Sequence, residues 1–234
     1  MEKILQSIVE NPAKADYQKE TKSYLMKLTQ NEQASPRILE WAGFLALENE
    51  LWTSAESIFA SLLERRDKVS DLLGLAKSLR MQFRLDEAED CYLASLEQIT
   101  QACSLLFVIY KALAEICLLK NDFYQAEEYY NKASTLKPNS QSLTFCRSLL
   151  YLKEKNYKLA EKNFKVYLQF ELSSEKAWLG LALARKALGN KELAWASLQK
   201  CLDINPKNSQ ALKLKKKWSQ SIFDNMSSSL SFSA

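Results

Sequence analysis

Apolar positions along the chain recur on two periods. Within short segments they fall at i, i+3, i+4 and i+7, the spacing of one helix face. Tyr17, Thr21, Tyr24, Leu25 and Leu28 form one such stripe, and Ala211, Leu214, Trp218 and Ile222 form another. Over longer distances a small residue returns: Ala55 to Ala88 spans 33 residues, Ala88 to Ala126 spans 38, and Ala126, Ala160 and Ala194 follow at intervals of 34. Four residues after each alanine stands a large apolar side chain: Phe59, Tyr92, Tyr130, Phe164 and Leu198.

If the alanine is position 20 of a block, position 8 is Gly43, Ala76, Ala114, Ser148 and Ala182, again small throughout. Small residues at both places let two antiparallel helices approach closely, and the large residue at position 24 fills the space against the next block. Turn-forming pairs fall between the two helices, at Asn121-Asp122, Lys155-Asn156 and Gly189-Asn190. Ser35-Pro36 reads as an N-cap followed by proline in the first turn, where its missing N–H costs nothing. Lys137-Pro138-Asn139 and Asn205-Pro206-Lys207 close two of the blocks.

Together these residues resemble the tetratricopeptide repeat family over residues 36–208, with five repeats at 36–68, 69–106, 107–140, 141–174 and 175–208. The four extra residues of the second repeat fall around Ile99 to Ser104. Residues 1–35, broken by Asn11-Pro12, read as a helical pair or degenerate repeat. Residues 209–225 read as a helix capping the array by burying its apolar stripe against Leu198, and 226–234 as a flexible serine-rich tail. The chain departs from the family pattern at position 4, where only Trp178 keeps the tryptophan, and at Arg147 and Arg185, which stand where apolar or tyrosine side chains are usual. The fold class implied is all-α, a right-handed α-solenoid of antiparallel helix pairs.

Composition agrees with a helix-rich chain: of 234 residues 47% are hydrophobic and 26% charged, with four glycines and four prolines. The net charge of +4 is concentrated at Lys207, Lys213, Lys215, Lys216 and Lys217, and reads as a solvated helix face. Five cysteines without a Cys-x-x-Cys, and no histidine, argue against zinc and against a disulfide framework; reduced cysteines in a cytoplasmic protein are expected. Met1 to Glu10 lacks the apolar run of a signal peptide, and no stretch approaches a membrane span.

Without histidine most acid-base and nucleophilic constellations are missing. The acidic run Asp86-Glu87-Ala88-Glu89-Asp90 opens a helix, where carboxylates complement the dipole. Gly43, Gly74, Gly180 and Gly189 are isolated and form no phosphate loop. Neither enzymatic activity, nor a cofactor, nor a small-molecule substrate is expected.

The resemblance implies binding instead, on a concave side lined by positions 2, 5, 9 and 12 of each first helix. Carried onto this sequence, that groove holds Phe44, Leu73, Lys77, Arg80, Lys111, Leu118, Phe145, Leu149, Leu152, Leu179, Leu183 and Lys186, and is most apolar in the last two repeats. The lysine, asparagine and arginine clamp for chaperone tails is absent, since Glu40 and Phe44 occupy its first positions. The expected function is a protein-binding adaptor that assembles a signalling, motility or secretion complex. Its partner would be a peptide, an amphipathic helix or a small folded regulator such as a Ras-like GTPase. The alternative is a dedicated chaperone of a secreted or membrane-inserting protein. Self-association through the groove is a further expectation. Nucleic-acid binding is disfavoured because basic and aromatic residues do not recur along one face.

Overall fold

The computed structural model describes residues 23–25, 27–28, 34–100 and 104–230, with side chains as far as Gln220. Among these residues the chain is all-helical. It divides into two compact units, Met1–Lys120 and Asn121–Ala234.

Unit 1 contains α1 (Pro36–Glu48), α2 (Trp52–Arg65), α3 (Val69–Met81), α4 (Leu85–Glu97) and α5 (Ser104–Lys120). Each helix packs on the one before it, and α1 also touches α3. Unit 2 contains α6 (Phe123–Leu136), α7 (Gln141–Lys153), α8 (Tyr157–Leu168), α9 (Glu175–Ala187), α10 (Lys191–Ile204) and α11 (Ser209–Leu230). The same neighbour packing holds, and α7 touches α9 directly. Within each unit the helices therefore stack in chain order, and the first helices α1 and α3, and α7 and α9, are in contact.

The close approach depends on the small residues. Ala55, Ala88, Ala126, Ala160 and Ala194 are all fully buried, as are Ala76, Ala114, Ser148 and Ala182. Phe59 and Phe164 are fully buried too, and their ring edges occupy the space a methyl group would need at the glycines. A Cβ on Gly43 would lie 2.7 Å from Phe59 Cζ, one on Gly74 would lie 2.4 Å from the same atom, and one on Gly180 would lie 2.2 Å from Phe164 Cζ. Phe59 thus sits against its own pair and the next one. Burying each ring contributes about 1.5–3 kcal/mol.

The turns between helices share one backbone solution. Glu50, Phe83, Lys155 and Gly189 each adopt positive φ, at 58°, 62°, 64° and 85°. The amide of the following residue then reaches back to the ended helix: Leu51 N to Ala46 O at 2.9 Å, Arg84 N to Leu79 O at 3.1 Å, Asn156 N to Tyr151 O at 2.8 Å, and Asn190 N to Arg185 O at 3.0 Å. This is the Schellman ending, which satisfies carbonyls that the helix leaves without partners.

Several sequence expectations take a different local form. Ser35 stands at the N-cap of α1 with Pro36 next, but its hydroxyl makes no capping bond. The two unusual arginines have polar partners. Arg185 Nε lies 3.1 Å from Glu161 and its Nη1 donates to the buried Ser197 hydroxyl at 2.7 Å, while Arg147 donates to Asn131 at 2.5 Å. α11 runs to Leu230 instead of stopping at Asn225. Ala211 and Trp218 of this helix are buried with Leu198, Cys201 and Leu202. Residues 1–22, the insertion at 101–103, and 231–234 lie outside the described residues; Leu25 and Leu28 are buried against Leu39, Phe59 and Leu62.

Candidate functional site

Unit 2 holds a groove of about 680 Å³ whose apolar lining comes from α7 and α9. Phe145, Leu149 and Leu152 lie on α7; Leu179, Gly180 and Leu183 lie on α9. These residues line a groove because α7 and α9 are the first helices of adjacent pairs, so their i, i+4 and i+7 positions face the same side. Phe145 is held by edge-on contact with Phe164, centroids 6.3 Å apart, and by the tilted Tyr167 ring at 5.0 Å. Leu149 and Leu152 pack on the core around Phe164, and Leu183 packs on the core around Leu198. The floor is therefore half core and half surface.

The rest of the lining is polar: Glu175 and Lys176 at the start of α9, then Asn205, Lys207, Asn208, Ser209 and Gln210 where α10 ends and α11 begins. Asn208 Oδ1 accepts from Ala211 N at 2.9 Å and caps α11, and Asn205 Oδ1 accepts from Lys207 N at 3.1 Å. This wall is held by its own turn chemistry. It was missed in the sequence because α11 was read as a cap, not as a further first helix; Asn208-Ser209 as a helix start was the available signal.

Of the other groove residues expected, Lys186 in unit 2 is half-buried with its ammonium 5.2 Å over the Trp218 ring. The remaining ones belong to unit 1 and are mostly engaged there. Phe44 packs edge-on against Phe59 at 5.5 Å. Arg80 pairs with Glu115, which Lys111 also approaches at 3.8 Å. Leu73 is half-buried, Leu118 is buried, and Lys77 is exposed. Beside them Arg66 donates to the fully buried Asp71 at 2.7 and 3.0 Å and pairs with Glu40 at 3.0 Å, while Lys68 reaches Glu40 at 2.6 Å.

Among the described residues no group of three or more Cys, Asp or Glu is placed to hold a metal ion, and no helix is long and apolar enough to cross a membrane. Burial pushes the Cys91 and Cys201 thiols up, away from the reactive thiolate, and pushes Tyr92 up to about 12.

Stacked antiparallel helix pairs with an open face between their first helices define a helical-repeat scaffold. Tetratricopeptide repeat profiles match residues 68–139 and 175–208. Solved structures agree. A tetratricopeptide repeat protein from Parabacteroides merdae ATCC 43184 is 22% identical, with a TM-score of 0.62 over 82% of this chain and 75% of that one. YrrB, described as a TPR protein with an unusual peptide-binding site, is 17% identical with a TM-score of 0.56 over 82% of this chain and 97% of its own. MamA is 15% identical with a TM-score of 0.56, over 72% and 96% respectively. No curated protein matches the chain in sequence. At these identities the likeness is one of fold. Residues 68–139 and 175–208 are tetratricopeptide repeats, the motif of generally non-enzymatic protein-binding scaffolds.

Proposed function

We propose that this protein is an adaptor whose unit 2 groove holds an apolar segment or amphipathic helix of a protein partner. The supporting observation is the shape and chemistry of the groove: five large apolar side chains along two parallel first helices, with Lys176 and Lys207 at the polar wall. An amphipathic helix presents anchors at i, i+3, i+4 and i+7, which suits a strip of this kind. The peptide-binding site named for YrrB gives the reading a precedent within the fold. Assembly of a signalling, motility or secretion complex is the role in which such binding would act.

Two variants separate binding from folding. Leu149→Glu/Leu183→Glu places charge on the groove floor, and because both leucines also touch the core it lowers stability by about 1–3 kcal/mol. Lys176→Glu/Lys207→Glu changes only the wall and leaves melting nearly unchanged, since both lysines are exposed. Affinity capture from native extract, read by mass spectrometry, should show one folded partner lost with both variants. Retention of that partner by both variants would place binding elsewhere.

A further inference from the structure

The outer faces of α4 and α8 are occupied by complementary side chains. On α4 the exposed stripe contains Asp86, Glu87, Asp90, Leu93 and Glu97, with the exposed Phe83 at its N-terminal end. On α8 it contains Lys158, Leu159, Lys162, Lys165 and Val166, with the exposed Lys155 before it and Phe170 after it. The first face is acidic with an apolar strip and the second is basic with an apolar strip. They occupy equivalent places in their repeats.

Helix-dipole compensation accounts for Asp86 and Glu87 in the first turn of α4, but not for Asp90 and Glu97 further along. Among the described residues Asp90, Glu97, Lys158 and Lys162 take part in no ion pair. Phe83 adds an independent observation. It is 76% exposed, yet it holds a left-handed backbone conformation with φ of 62°, which costs a β-carbon residue about 1–2 kcal/mol. Its turn is fixed from both sides, since Gln82 donates to Glu56 at 2.8 Å and Arg84 also pairs with Glu56. The exposed ring thus projects from a fixed turn at the end of the acidic face.

We infer that the α8 face of one copy of this chain docks antiparallel on the α4 face of another. One register pairs most of the two stripes, with Asp86 left opposite Val166 and Lys158 opposite Ala94. With Asp90 opposite Lys162, Leu93 meets Leu159, Glu97 meets Lys155 and Phe83 comes beside Phe170, while Glu87 and Lys165, already paired with Arg84 and Glu161, lie level with each other. Because the two surfaces differ, the contact is heterologous and leaves one of each face free for a further copy. A single helix-on-helix face is a small interface, so association is weak, and its charged rim makes it salt-sensitive. This surface is separate from the groove, and the inference stands or falls without it.

Sedimentation velocity on the full chain tests this, from micromolar towards millimolar concentration and at low and high salt. The wild type should gain average mass with concentration and lose it at high salt. Asp90→Lys/Glu97→Lys sets like positive charges opposite Lys162 and Lys155, and Lys155→Glu/Lys162→Glu sets like negative charges opposite Glu97 and Asp90; each variant alone should remain monomeric with unchanged helicity. An equimolar mixture of the two should associate again, because positions 90 and 97 of one variant then meet opposite charges at 162 and 155 of the other. A wild type monomeric throughout would overturn the inference, and so would association that survives both charge reversals or a mixture that stays monomeric. Wild-type association abolished by Lys176→Glu/Lys207→Glu but unaffected by the charge reversals would place self-contact in the groove and overturn it equally. Cosedimentation of a monomeric chain with phosphatidylcholine–phosphatidylserine vesicles, lost in Lys155→Glu/Lys162→Glu, would reassign the α8 face to a lipid surface and do the same.

Discussion

The first helices of the two units use the same repeat positions in opposite ways. In unit 1 the charged positions and their neighbours are largely paired internally, Arg80 with Glu115 and Glu40 with Arg66 and Lys68, while Phe44 leans on Phe59 but stays 41% exposed and Lys77 is exposed. In unit 2 they are leucines and a phenylalanine that line an open groove. Both units keep the same buried alanines and ring-on-glycine packing. A repeat scaffold therefore separates the positions that build it from those that face outward, and each outward position is either satisfied by a neighbour or left for a partner.

The largest effects should be common to both units. Phe59→Ala and Phe164→Ala each remove a fully buried ring and should cost about 3–5 kcal/mol, read by urea denaturation. A much smaller cost in one unit would break the claim that they share a framework. Next, Asp71→Ala tests the polar side of the comparison. It leaves Arg66 without its buried partner and should cost about 1–3 kcal/mol, with no effect on binding at the groove.

A smaller pair of changes should have opposite signs. Phe83→Gly relieves a left-handed side chain and should stabilise by about 1 kcal/mol, whereas Gly189→Ala introduces one and should destabilise by a similar amount. Equal signs in thermal melts would mean that packing, not backbone conformation, governs these turns.

The smallest effect is in acid. The Lys68 hydrogen bond holds the Glu40 carboxyl below its usual value, and the Lys165 hydrogen bond does the same for Glu161. A depressed carboxyl pKa contributes stability that is complete above the unfolded value, about 4.3, and is lost as pH falls through the lower folded value. Melting temperature should stay level from neutral pH to about 5 and fall below that. Glu40→Gln and Glu161→Gln should each shallow the fall, and a slope unchanged in both variants would remove these two pairs as its cause.

The fold was legible because its framework uses residue size, and size is written directly in the sequence: alanine or glycine at the helix contacts and a ring or leucine at position 24. The groove was only partly legible. Phe145, Leu149, Leu152, Leu179 and Leu183 share a lining, but the spacing that placed them equally placed Arg80, Lys111 and Leu118, and periodicity does not reveal whether a neighbour already occupies a side chain. The turns show a similar limit. Gly189 announces a left-handed residue, while Glu50, Phe83 and Lys155 adopt the same conformation because the Schellman bonds around them require it. Arg185 likewise reads as a packing defect until Glu161 and Ser197, distant in sequence, are seen beside it.

The polar wall of the groove is made where α10 gives way to α11, the helix that follows the final repeat. On the proposed function, recognition and the end of the last repeat would fall on the same few residues. Lengthening the array by one repeat would replace that wall with another first helix and give the groove a new specificity without altering its floor. In such a protein a change of partner requires no redesign of the binding surface, only a change in what comes next along the chain.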